Sequence, residues 1–126
     1  VYCSSSLSLA QLEQLAHLNG PSPPTGFEWL EIGIPKRCFN NRRRLSLADL
    51  GQYGFDWKSD PPHMMLQEIG TEWVNSGESL VMEVPSVVNP IESNFLINPL
   101  HPEFDKIRLK PAAPLEWDRR LLECGE

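Results

Sequence analysis

Proline punctuates this chain too densely for long regular elements. Twelve prolines and eight glycines in 126 residues leave room for few long helices and commit much of the backbone to ordered, irregular connections. The tightest constraint runs from Glu83 to Phe104, EVPSVVNPIESNFLINPLHPEF, with prolines at positions 85, 90, 99 and 102. Each fixes φ and removes a backbone donor, so Ser86, Asn94, Asn98 and His101 are held on stiff connections. A strand predicted over 80–84 runs into Pro85 and Ser86, and a second apolar run, Phe95 to Ile97, follows Asn94. Rigid polar groups at strand ends are a common construction for small-molecule sites.

Upstream, Ser4, Ser5 and Ser6 offer hydroxyl caps to a helix predicted over 7–18, with Leu9, Leu12, Leu15 and Ala16 at helical spacing and Asn19-Gly20 as its stop. Phe27 to Ile34 (FEWLEIGI) alternates with period two, as a half-buried strand does, and Pro35 ends it. Residues 36–61 read as a polar connection with a helical turn over 45–50 and a Tyr53/Phe55/Trp57 cluster, a packed lid or a partner surface. Asp60 is predicted to cap a second helix with Pro61 and Pro62 in its first turn. Met65, Leu66, Ile69 and Trp73 form its buried stripe, and Asn75-Ser76-Gly77 stops it. Short strands are predicted over 94–97 and 107–110, a turn of helix near 102–105, and a strand or short helix over 115–122. Two main helices with several short strands, not in strict βαβ alternation, predict an α+β fold around a small mixed or antiparallel sheet.

A chain of 126 residues with 40% apolar residues and four tryptophans is sized for one domain, spanning 1–126, with a single core. Val1-Tyr2 reads as the end of a strand whose beginning lies upstream, so the domain is expected to be N-terminally shortened. Eleven basic against seventeen acidic residues give a net charge of -6, which disfavours direct nucleic-acid binding. The basic cluster Lys36, Arg37 and Arg42 to Arg44 reads as a solvated turn in preference to an anion or partner site. Cys3, Cys38 and Cys124 are widely spaced, odd in number and form no CxxC, which points to a reduced, cytoplasmic compartment. The apolar runs are too short for a membrane span, so no membrane partner is expected.

Glu13 is the most informative single charge. At 100° per residue it lies about 40° from Leu9 and about 60° from Ala16, on the flank of the apolar stripe, where a carboxylate must find donors. Spacing alone leaves a structural and a functional role both open. By default Tyr2 is a strand-end aromatic with its hydroxyl at the surface, Ser86 and the asparagines are turn formers, and His101 is a cap. HExxH, paired CxxC, GxSxG and GxGxxG are all absent, and His17, His63 and His101 lack ligand spacing, so no metal site is expected.

Taken together, VYCSSSLSLAQLEQLAHL, IGTEWVNSGES and SLVMEVPSVVNPIESNFLINPLHPEF resemble the RES domain family, named for its arginine, glutamate and serine. The resemblance covers most of the chain and is weakest over 36–60. It implies a fold similar to ADP-ribosyltransferase toxins and the role of toxin in a bacterial toxin–antitoxin pair. NAD is then the substrate, consumed by hydrolysis or phosphorolysis of its nicotinamide–ribose bond, with ADP-ribosyl transfer to a protein as an alternative. The implied partner is a helix-turn-helix antitoxin whose tail blocks the active site, and a homodimer is a further expectation. Carried over by position, Tyr2 and Glu13 match the catalytic tyrosine and glutamate, and Ser86 and Asn94 match nucleotide-binding positions. The family arginines precede the tyrosine and have no counterpart here; Arg42 to Arg44 do not match them. The resemblance therefore also admits an inactive, antitoxin-engaging relative.

Overall fold

The computed structural model describes residues 1–17, 25–59 and 62–122. In chain order the elements are β1 (Tyr2–Ser4), α1 (Leu7–His17), β2 (Glu28–Trp29), β3 (Ile32–Gly33), α2 (Lys36–Asn40), β4 (Arg43–Arg44), α3 (Leu47–Gln52) and α4 (Met64–Ser76). They continue with β5 (Val81–Pro85), β6 (Ser93–Ile97), a 3-10 turn (Phe104–Lys106), β7 (Arg108–Leu109), β8 (Ala113–Pro114) and α5 (Arg119–Leu122). The fold is α+β, with α1 and α4 the two long helices.

The organising layer is a mixed four-stranded sheet in the order β1-β6-β5-β4. β6 runs antiparallel to both its neighbours, while β4 joins β5 in parallel. Side chains alternate across it. Val81 and Ile97 face a cluster with Leu80 and Cys38, against which Phe95, Phe104 and Ile107 pack. Leu45, Leu50 and Ile69 form a second cluster that takes in Val84, Leu66 and Trp57. Val81, Met82, Ile97, Leu9 and Leu50 are at most 1% exposed, each worth about 1.5–3 kcal/mol of burial. Trp73 locks α4 to the sheet: its indole N–H donates to Ser79 Oγ (2.9 Å), which donates to the Val81 carbonyl (2.9 Å).

Several sequence expectations change in detail. FEWLEIGI is not one half-buried strand. It divides at Leu30, and β2 pairs with β8 while β3 pairs with β7, two short ladders in which Phe27, Trp29 and Leu30 stay exposed. On α1 only Leu9 and Glu13 are buried; Leu12 and Ala16 face outward, because the helix turns its Leu9–Glu13 edge to the sheet. Ser6 is the residue that caps it, accepting from Leu9 N at 3.1 Å.

The polar connection is more regular than its composition suggests. Its basic residues are spread over regular elements: Lys36 and Arg37 open α2 and stay exposed, while Arg43 and Arg44 form β4, with Arg44 still exposed. Arg42 Nε donates to Glu83 (2.7 Å) with its guanidinium 4.1 Å over the Phe39 ring, and Arg43 pairs with Glu78. Ser46 and Asp49 form a capping box that starts α3. The cap of α4 is His63, whose Nδ1 accepts from Met65 N; the predicted cap Asp60 and Pro61 lie outside the described residues, as do Asn19-Gly20 and Cys124. Gly77, at φ 64°, closes α4 in the left-handed conformation that glycine adopts without strain. The 107–110 strand shrinks to β7, and 115–122 is helical only at α5. Among the described residues no helix is long and apolar enough to cross a membrane.

Candidate active site

β1 and β6 pair so that Tyr2 lies opposite Leu96, Cys3 opposite Phe95 and Ser4 opposite Asn94. Alternation therefore puts Tyr2, Ser4 and Asn94 on one face of the sheet, the face that receives Glu13 from α1. The β5–β6 turn brings Ser86 to the same place. Its backbone N–H closes on the Glu92 carbonyl (2.9 Å), and its Oγ accepts from the N–H groups of Val88 and Asn89, both at 3.1 Å. That geometry turns the hydroxyl proton of Ser86 toward α1.

Two donors meet at one carboxylate oxygen, and two further side chains hold one of those donors. Glu13 Oε1 accepts from Ser86 Oγ at 2.6 Å and from Asn94 Nδ2 at 2.7 Å. The second hydrogen of Asn94 Nδ2 goes to Tyr2 Oη at 2.5 Å, and Ser4 Oγ donates to Asn94 Oδ1 at 2.8 Å. Ser86 and Asn94 are fully buried and Glu13 is 9% exposed. Such a network is high-stakes, because each buried polar atom depends on its partner.

Glu13 Oε2 has no donor among the described residues, and Glu13 lines a cleft of about 800 Å³. The cleft lies at β1, the edge strand of the sheet, and its lining includes Tyr2, Ser4 and Ala10 together with the aromatic residues Phe27, Trp29, Phe39 and Phe95. None of the described ion pairs involves Glu13. The carboxylate is thus fixed at one oxygen by neutral donors, and its residue lines an aromatic-walled cavity.

Tyr2 as a residue is more than half exposed. Burial of its hydroxyl, reinforced by the negative charge of Glu13 and opposed by the hydrogen bond from Asn94, pushes its pKa up to about 12. The phenol therefore stays protonated at neutral pH. Since its oxygen accepts from Asn94, its own proton is directed elsewhere, with no acceptor among the described residues.

Ser86 and Asn94 contribute no surface to the cleft; their hydrogen bonds go to Glu13 and to one another's neighbours. Asn98 and His101 serve the backbone. Asn98 bridges the Val74 carbonyl and Leu100 N–H, and His101 Nδ1 accepts from Glu103 N. Arg42, Arg43 and Arg44 do not line the cleft. Sequence reasoning missed Ser4 as part of the network and the aromatic walls at Phe27, Trp29, Phe39 and Phe95. For Phe27 and Trp29 the alternation of FEWLEIGI was the signal, read as one half-buried strand. Among the described residues no three His, Cys, Asp or Glu side chains are grouped as metal ligands.

With this geometry in view, comparison with known proteins is decisive for kinship. The family model for the RES domain matches residues 1–118. The chain belongs to the RES domain family. A RES relative named "Toxin Res" from Yersinia enterocolitica is 38% identical over 123 residues, which covers 96% of this chain and 76% of that protein. "Prs ADP-ribosylating toxin" from a Sphingobium strain is 31% identical over 122 residues, covering 97% of this chain and 74% of that protein. A "Toxin Res" from Photorhabdus laumondii is 34% identical over 106 residues, covering 84% and 64%. Every member of the Glu13 network lies within the residues that the RES family model matches.

Proposed function

We propose that the cleft binds NAD and that Glu13 promotes cleavage of the bond between nicotinamide and ribose, the activity of a toxin. The observation that carries this reading is a carboxylate held at Oε1 by Ser86 and Asn94, with no described donor on Oε2, on a residue that lines the cleft. The name of the Sphingobium relative supports it, because ADP-ribosylation draws its ADP-ribose from NAD.

When the glycosidic bond breaks, its electron pair moves to the pyridinium nitrogen, nicotinamide leaves neutral and positive charge develops on the ribose. A fixed carboxylate stabilises such an oxocarbenium-like centre and can accept a hydrogen bond from a ribose hydroxyl. Glu13 supplies that charge. Its position is set before substrate arrives, so little reorganisation is needed at the moment of cleavage. Tyr2, protonated and more than half exposed, offers a face to nicotinamide or ribose and a proton to an acceptor on the substrate. Ser86 and Asn94 act on the nucleotide through the carboxylate they orient. Water, phosphate or a protein side chain completes the reaction at the ribose carbon and gives up a proton.

The direct test is incubation of the full-length protein with NAD, with and without phosphate. Release of nicotinamide is expected, and phosphate dependence separates phosphorolysis from hydrolysis. No release in either mixture rejects the proposal. Labelled NAD that leaves its ADP-ribose on a protein identifies transfer, which the Sphingobium relative's name favours as the second reading. A helix-turn-helix antitoxin is the partner that fits this role, and its co-purification with the toxin tests the pairing.

A further inference from the structure

We infer that Ser4 is a positioning residue for Glu13, acting through Asn94; the inference rests on the NAD-cleaving reading for its kinetic consequence and on geometry alone for its structural one. Ser4 sits opposite Asn94 in the β1/β6 ladder, and its hydroxyl donates to Asn94 Oδ1 at 2.8 Å. The Asn94 side chain is completely buried and three of its four hydrogen-bonding positions are used: one on Oδ1 by Ser4, one Nδ2 hydrogen by Glu13 and the other by Tyr2. An amide is planar, so gripping it at its oxygen fixes the direction of both N–H bonds at its nitrogen.

Glu13, while ionised, already disfavours the flipped amide, because Oδ1 facing Oε1 at 2.7 Å sets two acceptors against each other. What Ser4 adds is the anchor at the far end. It polarises the amide, strengthens both N–H donors and stops Asn94 from rotating away from the carboxylate. Without it a fully buried carbonyl oxygen is left unpaired, which favours side-chain rotations that break the bonds to Glu13 and Tyr2. Ser4 belongs to the same sheet face as Tyr2, two positions away, so a single edge strand delivers both the cleft-facing aromatic ring and the clamp behind the carboxylate.

The test compares full-length wild type with Ser4→Ala and Ser4→Thr. Threonine retains the hydroxyl and suits a strand. In NAD cleavage, Ser4→Ala is expected to lower kcat by about tenfold with KM unchanged, and Ser4→Thr to restore kcat to within about threefold. In parallel, the side-chain amide protons of Asn94 are followed by NMR without NAD. Two distinct, slowly exchanging signals are expected in wild type and Ser4→Thr, and collapsed or shifted signals in Ser4→Ala. Wild-type kcat in Ser4→Ala, or Asn94 signals unchanged by that substitution, overturns the inference. Absence of NAD cleavage by wild type rejects the proposed reaction instead, and the Asn94 signals then decide the clamp by themselves.

Discussion

Replacing Glu13 by glutamine separates what this side chain does for the fold from what its charge does for chemistry. Glutamine keeps one oxygen for Ser86 Oγ and Asn94 Nδ2, which lie 2.6 and 2.7 Å from Oε1 in the native protein. Both bonds change from charge-assisted to neutral, a loss of about 1 kcal/mol each and about 2 kcal/mol together. Opposing this is the desolvation of a carboxylate that is only 9% exposed and has no cationic partner among the described residues. Neutralising it relieves a penalty of the same order, so Glu13→Gln is expected to unfold within about 1 kcal/mol of wild type. Glu13→Ala, by contrast, strands two buried donors and leaves a void, for a loss of about 2–5 kcal/mol. Activity does not follow stability. Neither variant carries charge toward the developing cation, so nicotinamide release falls about 10²–10³-fold in both. Urea unfolding reads the first quantity and nicotinamide release the second. Wild-type cleavage by Glu13→Gln refutes the electrostatic role, and equal destabilisation of the two variants refutes the account of the hydrogen bonds.

Three other expectations follow from the geometry. Tyr2, moved from an ordinary value of 10.0 to about 12, has a folded pKa above its unfolded one; the stability this adds is complete below pH 10 and disappears as pH rises toward 12. The tyrosinate absorbance missing from Tyr2→Phe is therefore expected to develop near pH 12, and a step near pH 10 contradicts the burial of its hydroxyl. Gly77→Ala places a Cβ in open space but at φ 64°, so backbone strain alone lowers stability by about 1 kcal/mol, measurable as a lower urea midpoint. Arg42→Lys keeps the charge yet loses the bonds to Glu83 and the Phe39 carbonyl and the stacking on Phe39, costing about 1–3 kcal/mol. The same change at Arg44, whose side chain is 65% exposed, is expected to cost less than about 0.5 kcal/mol, and equal effects at the two positions contradict the buried-pair description.

The site was legible in the sequence where local rules govern. Helical periodicity marked Glu13 as an inward-leaning charge, and prolines marked Ser86 and Asn94 as rigidly held. Resemblance then grouped them with Tyr2. Local rules failed where distant strands decide. The alternation of FEWLEIGI is real, but whether it forms one strand or two depends on β7 and β8, whose pairing with it spans most of the chain. Arg43 and Arg44 look like solvated charge until β5 supplies a parallel neighbour for their backbone. Ser4 looked like a helix cap because its true partner, Asn94, is 90 positions away. On α1 the leucine spacing drew an apolar stripe, yet only Leu9 and Glu13 are buried, and Glu13 is bound to Asn94 of β6 and Ser86 of the β5–β6 turn.

The wide separation of the partners has a consequence for synthesis. Ser86 and Asn94 stand 73 and 81 positions beyond Glu13, and Tyr2 stands 92 before Asn94. A ribosome that has just completed α4 has already released Tyr2 and Glu13 but has not yet made either donor that holds the carboxylate. Until the β5–β6 hairpin leaves the exit tunnel and zips onto β1, Glu13 is an ordinary solvated side chain on a marginal helix. Whatever reaction the aligned carboxylate performs can begin only after that hairpin has emerged, so chain connectivity itself delays the first catalytically competent molecule.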